Sequence, residues 1–349
     1  MTAVVPKVTV TLEEGTKSPG TGEAGKIAVI GAFKTTSTDV KLFTSLASAQ
    51  KTWGNDDTFY GCASMPLLFA NGATSVLAVN ISTQTEDVWN KTITAENLAA
   101  SLAKIKGEDW DILFIAAPIT DSFIAIIDAY LDSTYEMKYP AGFIGALNGS
   151  NDAADIATAA LAGEHCYGLI AQQLHINGVT RNRVLSSAYY AGLIAGMGVG
   201  DTMTMKTVPG VTRCYPELSF DTGGAGKALL EAGITTIKPV DRNTGRHIVV
   251  NSEQPNGLDL YVNRVRDYVV KELALHDFLG ERNNETTLNE IKQEVDRVKA
   301  ECVNTLKLLK DIEFNVEKID SRTVQINISR LIFDGLITEI DVYVTVEVQ

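Results

Sequence analysis

A chain of 349 residues has room for about two domains, and 45% hydrophobic with 21% charged residues excludes a disordered or fibrous polymer. Lys and Arg number 30 against 43 Asp and Glu, a formal net charge of −13, so phosphate backbones and anionic bilayers are poor default partners. Cys62, Cys166, Cys214 and Cys302 are far apart and form no CxxC pair, which predicts reduced apolar residues rather than a zinc ribbon or disulfide framework.

The first residues hold neither a basic stretch nor a long apolar run, so no signal peptide is expected. Lys7-Val8-Thr9-Val10-Thr11-Leu12-Glu13 alternates polar and apolar, the period of a strand with one buried face. Residues 15–25, rich in Gly, Ser, Thr and Pro, read as a flexible connector. From residue 26 to about 199, short apolar runs alternate with helical patterns. The runs at 27–33, 75–81, 111–116, 141–147 and 167–171 predict strands, and 40–52, 58–70, 94–106, 121–137, 153–162 and 183–197 predict helices. That alternation argues for an α/β layer with a largely parallel sheet. The Gly- and Ala-rich stretch 188–200 is too short to cross a membrane and suits a close-packed helix.

Residues 198–256 are rich in turn formers and resist assignment. Two helices follow. Leu258, Tyr261, Val262, Val265, Val269 and Leu273 share one face, and Gly280 suits a C-cap. Thr287-Leu288-Asn289-Glu290 has the form of a capping box, opening a helix whose stripe is Leu288, Ile291, Val295, Val298, Cys302, Leu306 and Leu309. Two alternating segments close the chain, 324–329 and 339–349, with Asp334-Gly335 as a hairpin turn between them.

Two glycine motifs invite a nucleotide reading. Gly20-Thr21-Gly22-Glu23-Ala24-Gly25 matches GxGxxG, and with Lys26 most of a P-loop. Such loops follow a strand and open a helix, whereas here a strand follows, and Ile27 stands where a magnesium-binding hydroxyl belongs. Residues 221–228, with Lys227, lack the first Gly and the final hydroxyl, and opening a short helix is the plainer role. Glu164-His165-Cys166 and His175 offer ligand types without a metal-site spacing. No Gly-x-Ser-x-Gly elbow is present, and no catalytic, cofactor or metal site is predicted.

The terminal strands remain. A strand with one aliphatic face needs a sheet edge, either in its own subunit or in a neighbour. Extended, residues 15–25 span on the order of 35 Å, enough to reach a neighbour.

Together these features resemble the contractile tail sheath proteins of myovirus-like phages, phage-tail-like bacteriocins and contractile injection particles. The likeness rests on Gly25-Lys26-Ile27-Ala28-Val29-Ile30-Gly31, on residues 45–54, and on Phe69-Ala70-Asn71-Gly72-Ala73 followed by the strand 76–80. It continues in Ala191-Gly192-Leu193-Ile194-Ala195 leading to Lys206-Thr207-Val208-Pro209-Gly210. It is fullest at Tyr261-Val262-Asn263-Arg264-Val265-Arg266-Asp267-Tyr268, Phe278-Leu279-Gly280, the long second helix and the last alternating strands.

The resemblance implies an α/β plus α+β subunit. Its parts would be an N-terminal arm and linker (1–25), an inserted α/β outer domain (26–239), and a helix-helix-strand-strand assembly domain (240–349). Neighbouring subunits would complete that last domain with arm strands: Val8, Val10 and Leu12 from one end, Val342, Val344, Val346 and Val348 from the other. Val324, Ile326 and Ile328 would receive them. The implied function is structural rather than enzymatic, without cofactor: stacked hexameric rings around an inner tail tube protein, contracting to drive it through an envelope. The implied partners are further copies, the tube, and baseplate and terminator proteins, with no direct nucleic acid and no membrane insertion. The particle would be a virion tail or phage-tail-like device assembled in the host cytoplasm. Arg264, Arg266, Lys292, Arg297 and Lys299 are candidate polar contacts to the tube. An oligomeric α/β nucleotide-binding enzyme and a non-contractile strand-exchanging polymer are the competing readings.

Overall fold

The computed structural model describes residues 10–12, 25–86, 88–136, 140–148, 165–241, 246–254, 256–274 and 278–333. In chain order the elements begin with β1 (Val10–Leu12), β2 (Lys26–Gly31), β3 (Val40–Phe43), α1 (Leu46–Trp53), α2 (Tyr60–Asn71) and β4 (Ser75–Asn80). The small strands β5 (Thr83–Thr85) and β6 (Val88–Asn90) precede α3 (Ala95–Lys104), β7 (Ile112–Ile119), α4 (Asp121–Glu136) and β8 (Gly142–Leu147). Then come β9 (Cys166–Ile170), β10 (Gln173–Ile176), β11 (Val179–Arg181), α5 (Arg183–Ala195), β12 (Val211–Tyr215) and α6 (Ala225–Glu231). The last described elements are β13 (Ile237–Asp241), β14 (Arg246–Val249), α7 (Leu260–Glu272), α8 (Glu285–Ala300), β15 (Asp311–Lys318) and β16 (Val324–Ile332).

The apolar runs become a six-stranded sheet ordered β3-β4-β2-β7-β8-β9, parallel throughout except for β3 at its edge. β2, β4, β8 and β9 are buried almost end to end, as parallel strands covered on both faces must be. Helix α5 lies against β7, β8 and β9 and also packs on α2. The two helices approach at glycines: a Cβ on Gly192 would sit 2.8 Å from the carbonyl oxygen of Leu67, and one on Gly72 would sit 2.2 Å from Cα of Gly196. The stretch read as a close-packed helix packs for this reason.

Three expectations shift. α7 ends at Glu272 with Leu273 as its C-cap, seven residues before the Gly280 expected there. Residues 40–52 are not one helix: Val40–Phe43 pairs antiparallel with β4 and buries Phe43, and Ser45 caps a shorter helix by accepting from Ser48 N–H. The helix expected to open at Thr287 opens at Glu285. Its cap is Asn284, whose side chain accepts from the Thr287 N–H at 3.0 Å. The helix expected at 153–162, residues 15–24 of the expected connector and the turn at Asp334-Gly335 lie outside the described residues.

Burial separates two cores. The larger draws on residues from Ile27 to Leu260. The smaller joins Val199 to Tyr261, Val265 and Val269 of α7, Ile291, Val295 and Val298 of α8, and the apolar faces of β15 and β16.

Candidate functional site

The smaller core is roofed by a three-stranded sheet ordered β1-β16-β15. β16 is its centre. It pairs antiparallel with β15, and on its other edge β1 runs parallel, with Val10 opposite Ile326, Thr11 opposite Asn327 and Leu12 opposite Ile328. Residues more than 300 positions apart in the chain thus share one ladder. Ile326 and Ile328 point into the core, as do Ile312 and Val316 of β15. Among the described residues β15 pairs with β16 alone, so its far edge carries no described strand. Of the residues expected to form arms, Val8, Val342, Val344, Val346 and Val348 lie outside the described residues. Val10 and Leu12 lie on the edge of β16 beside Ile326 and Ile328, two of the three expected receivers, and in this single chain the partner strand is its own. Val324, the third, is half-buried and packs against the same core.

The five candidate polar contacts scatter. Arg264 is 4% exposed: its Nη1 and Nη2 donate to the carbonyl oxygens of Gly198 and Met197 at 2.9 and 3.1 Å, closing the end of α5. Buried and spent on those carbonyls, it is corrected from surface contact to internal clamp, and burial pushes its pKa down. Arg266 lies along the ring of Tyr135, 5.2 Å from its centroid, and donates from Nε to Asp267 at 3.2 Å. Arg297 is exposed but ringed by Glu294 at 2.6 Å, Glu301 at 2.7 Å and Glu272 at 3.9 Å. Lys299 ties α8 to β15 through Asp311 at 2.6 Å and the Ile312 carbonyl at 2.8 Å. Lys292 alone of the five is exposed with no charged partner among the described residues. α8 is acidic in balance by one charge: Glu285, Glu290, Glu294 and Asp296 against Lys292, Arg297 and Lys299.

Between the cores lies a polar seam that sequence reasoning missed. Asp267 on α7 is 4% exposed and receives hydrogen bonds from the hydroxyls of Tyr135 on α4 and, at 2.5 Å, Tyr167 on β9. One turn further along, Lys271 donates to Asp111 at 2.6 Å and to the Trp110 carbonyl at 3.3 Å, and lies 3.6 Å from Asp109. The sequence signal for this seam is faint: a charged residue inside the apolar pattern of α7, with partners 100 and 132 positions away.

Residues 20–24 of the first glycine motif lie outside the described residues. Lys26 pairs with Asp109 at the start of β2, and Lys227 sits 3.8 Å from Glu231 within α6. His165 Nε2 meets Asp132 at 2.8 Å and His175 Nδ1 meets Thr180 at 2.9 Å, while all four cysteines are buried free thiols. Among the described residues no group of three or more His, Cys, Asp or Glu could hold a metal ion, and no helix is long and apolar enough to cross a membrane. An open pocket of about 330 Å³ beside α5 is lined by Leu193, Met197, Met203 and Pro209, and its Asp201 is engaged with the Gly198 N–H.

No protein-family model matches the chain, and no curated protein matches it in sequence. Solved structures do. The helical sheath of the anti-feeding prophage in its contracted state aligns with a TM-score of 0.67 at 14% identity, over 99% of this chain and 100% of that one. A sheath tail protein from Desulfitobacterium hafniense aligns with a TM-score of 0.67 at 11% identity, over 90% of this chain and 98% of that one. A sheath tail protein from Listeria innocua gives 0.62 at 11%, over 89% and 96%. The fold of this chain is the fold of tail sheath proteins.

Proposed function

We propose that this chain is the structural subunit of a contractile tail sheath. It would polymerise as stacked hexameric rings around an inner tube and contract to drive the tube through a target envelope. The observation that carries this reading is the fold shared from end to end with a subunit of a contracted helical sheath. A sheet whose strands come from opposite ends of the chain supports it.

In the polymer, the edge of β16 that this chain fills with its own β1 would be filled by a neighbour's β1. The ladder and register stay the same, so exchange costs little in hydrogen bonding, and alternate side chains keep the register. Val8, Val10 and Leu12 are the donated arm, and Val324, Ile326 and Ile328 receive it. The far edge of β15 would take a second arm carrying Val342, Val344, Val346 and Val348. Contraction on this reading needs no nucleotide: subunits move as rigid bodies from a trapped packing to a more stable one while the shared ladders hold them together. For the tube, the acidic balance of α8 favours a largely basic counter-surface, with an acidic group opposite Lys292. Baseplate and terminator proteins would cap the ends of such a sheath, in a virion tail or phage-tail-like particle built in the host cytoplasm.

Electron microscopy of the purified chain tests the reading, with tubes of regular cross-striation as the expected result. Deleting residues 1–15 is expected to leave a folded, soluble subunit that forms no tubes. Tubes of normal length from that variant would refute strand exchange, and featureless monomer from the full chain under all assembly conditions would refute the sheath.

A further inference from the structure

Asn-Gly pairs occur at Asn71-Gly72, Asn148-Gly149, Asn177-Gly178 and Asn256-Gly257. An asparagine before glycine can react with its own backbone. The next amide nitrogen reaches the side-chain carbonyl carbon through a small ring, and glycine has no side chain to obstruct it. We propose that the fold directs this chemistry to Asn177, at the tip of the β10–β11 hairpin, and shields Asn71 and Asn256 from it. Gly149 lies outside the described residues.

Asn71 is half-buried at the end of α2, where its Nδ2 donates to the Leu67 carbonyl at 2.6 Å. The Gly72 N–H is spent on the Leu68 carbonyl, and Gly72 is wedged against Gly196. Asn256 forms a reciprocal amide pair with Asn263, at 2.9 and 3.3 Å, and its Oδ1 also accepts from the Leu258 N–H at 3.0 Å. The Gly257 N–H donates to the Gln254 carbonyl at 2.9 Å. At both pairs the attacking nitrogen and the side chain it must attack are held by other bonds, so reaction waits on local opening.

Asn177 differs on each count. It is exposed, and the Gly178 N–H donates to no backbone group among the described residues. Nothing lies within 4 Å of the position a Cβ on Gly178 would take. The hairpin is held on either side of the tip, by the Asn177 N–H on the Gly210 carbonyl at 3.0 Å and by the pairing of Ile176 with Val179. The φ angles of 49° at Asn177 and 84° at Gly178 are those of a type I′ turn. Flipping the one peptide between the two residues gives type II′, the other two-residue hairpin turn, and takes ψ of Asn177 to about −120°. That rotation swings the Gly178 nitrogen to the side of Asn177 that carries its side chain, and Gly178 accepts either sign of φ. The reactive geometry is one peptide flip away and breaks no described hydrogen bond.

In the step itself the Gly178 nitrogen bonds to Cγ of Asn177, the Cγ–Nδ2 bond breaks, and ammonia leaves with the proton from the Gly178 amide. Water then opens the cyclic imide. Attack at the side-chain carbonyl gives aspartate; attack at the main-chain carbonyl gives isoaspartate, which runs the chain through Cβ. Either product adds a negative charge at the hairpin tip. Isoaspartate also lengthens the turn that sets Ile176 opposite Val179.

The full chain held at mildly alkaline pH, folded and in urea, then digested and sequenced by fragment mass spectrometry, tests this. In the folded chain position 177 is expected to become acidic about tenfold faster than position 71 or 256, because those two must first open locally. In urea the three rates should draw together, since glycine follows each asparagine. Equal rates in the folded chain would overturn the proposal, and so would the same spread of rates in urea, which would trace the preference to neighbouring sequence instead of the fold. Neither readout depends on whether the chain forms sheaths.

Discussion

The two cores solve the same packing problem in different ways. The larger closes on itself: its central strands are buried end to end, and α2 and α5 meet at glycines so closely that a single added carbon would collide with backbone. The smaller is gathered from two helices, a hairpin and a strand from the opposite end of the chain, and among the described residues its sheet still has an edge without a strand. Both sheets end in edge strands, and an edge strand invites another chain, but only the smaller takes one of its strands from the far end of the sequence. On the proposed function, stability and assembly are thereby given to different parts of one subunit.

The strongest way to break that comparison is to hollow out each core in turn. Phe114 on β7 and Leu308 ahead of β15 are both fully buried. Phe114→Ala is expected to cost about 3–5 kcal/mol and Leu308→Ala about 2–5 kcal/mol. The protein carries its own probe. Its tryptophans, Trp53, Trp89 and Trp110, all belong to or pack against the larger core, so their fluorescence follows that core alone. In urea, Phe114→Ala should move the tryptophan transition and take helicity with it, because α7 rests on β9. Leu308→Ala should lower the helical signal of α7 and α8 while the tryptophan midpoint holds. If both substitutions shift both signals equally, the two cores are one cooperative unit and the comparison fails.

A smaller change sharpens it. Arg264 fastens α7 to the end of α5 through the Met197 and Gly198 carbonyls. Arg264→Met keeps the stem and removes the donors, leaving the Gly198 carbonyl with the Asp201 N–H at 3.1 Å. Charge-assisted hydrogen bonds of this kind are worth about 1.5–3 kcal/mol. The expected outcome is that fluorescence and circular dichroism, coincident or nearly so in the wild type, separate in the variant. A variant in which they stay superimposed would show that the clamp does not couple the cores.

How much of this was legible from residues alone tracks how local the cause is. The central strands stood out because strands buried on both faces read as unbroken apolar runs, and α3, α4 and α7 because their stripes repeat within a few turns. β3 was absorbed into a helix, because Val40 to Phe43 carries no turn signal before Ser45. β10 and β11 were passed over although Asn177 and Gly178, both at positive φ, form a favoured hairpin turn. β15 was missed because Ile312, Phe314 and Val316 alternate immediately after a helical stripe and between polar residues. The alternating 324–329 segment was legible, and its strand runs on to Ile332. The seam was not: buried on nearly every side, α7 has no solvated face on which to set its charges, and Arg264 read as a surface contact. Only the fold brings Tyr135 and Tyr167 to Asp267.

The smallest predicted effect lies on the surface of the larger core. Asp56 accepts from Lys34 Nζ at 2.9 Å and from the Thr58 N–H at 3.0 Å. The lysine hydrogen bond, then those from Thr58, lower its pKa to about 2. A carboxyl held below its unfolded value stabilises the fold above about pH 3.9 and loses that contribution as pH falls through its folded value. Asp56→Asn should therefore leave Tm nearly unchanged relative to wild type at pH 2 and slightly lower at pH 5, because solvent screens so exposed a pair. Acid branches that superimpose for Asp56→Asn and wild type would remove that contribution.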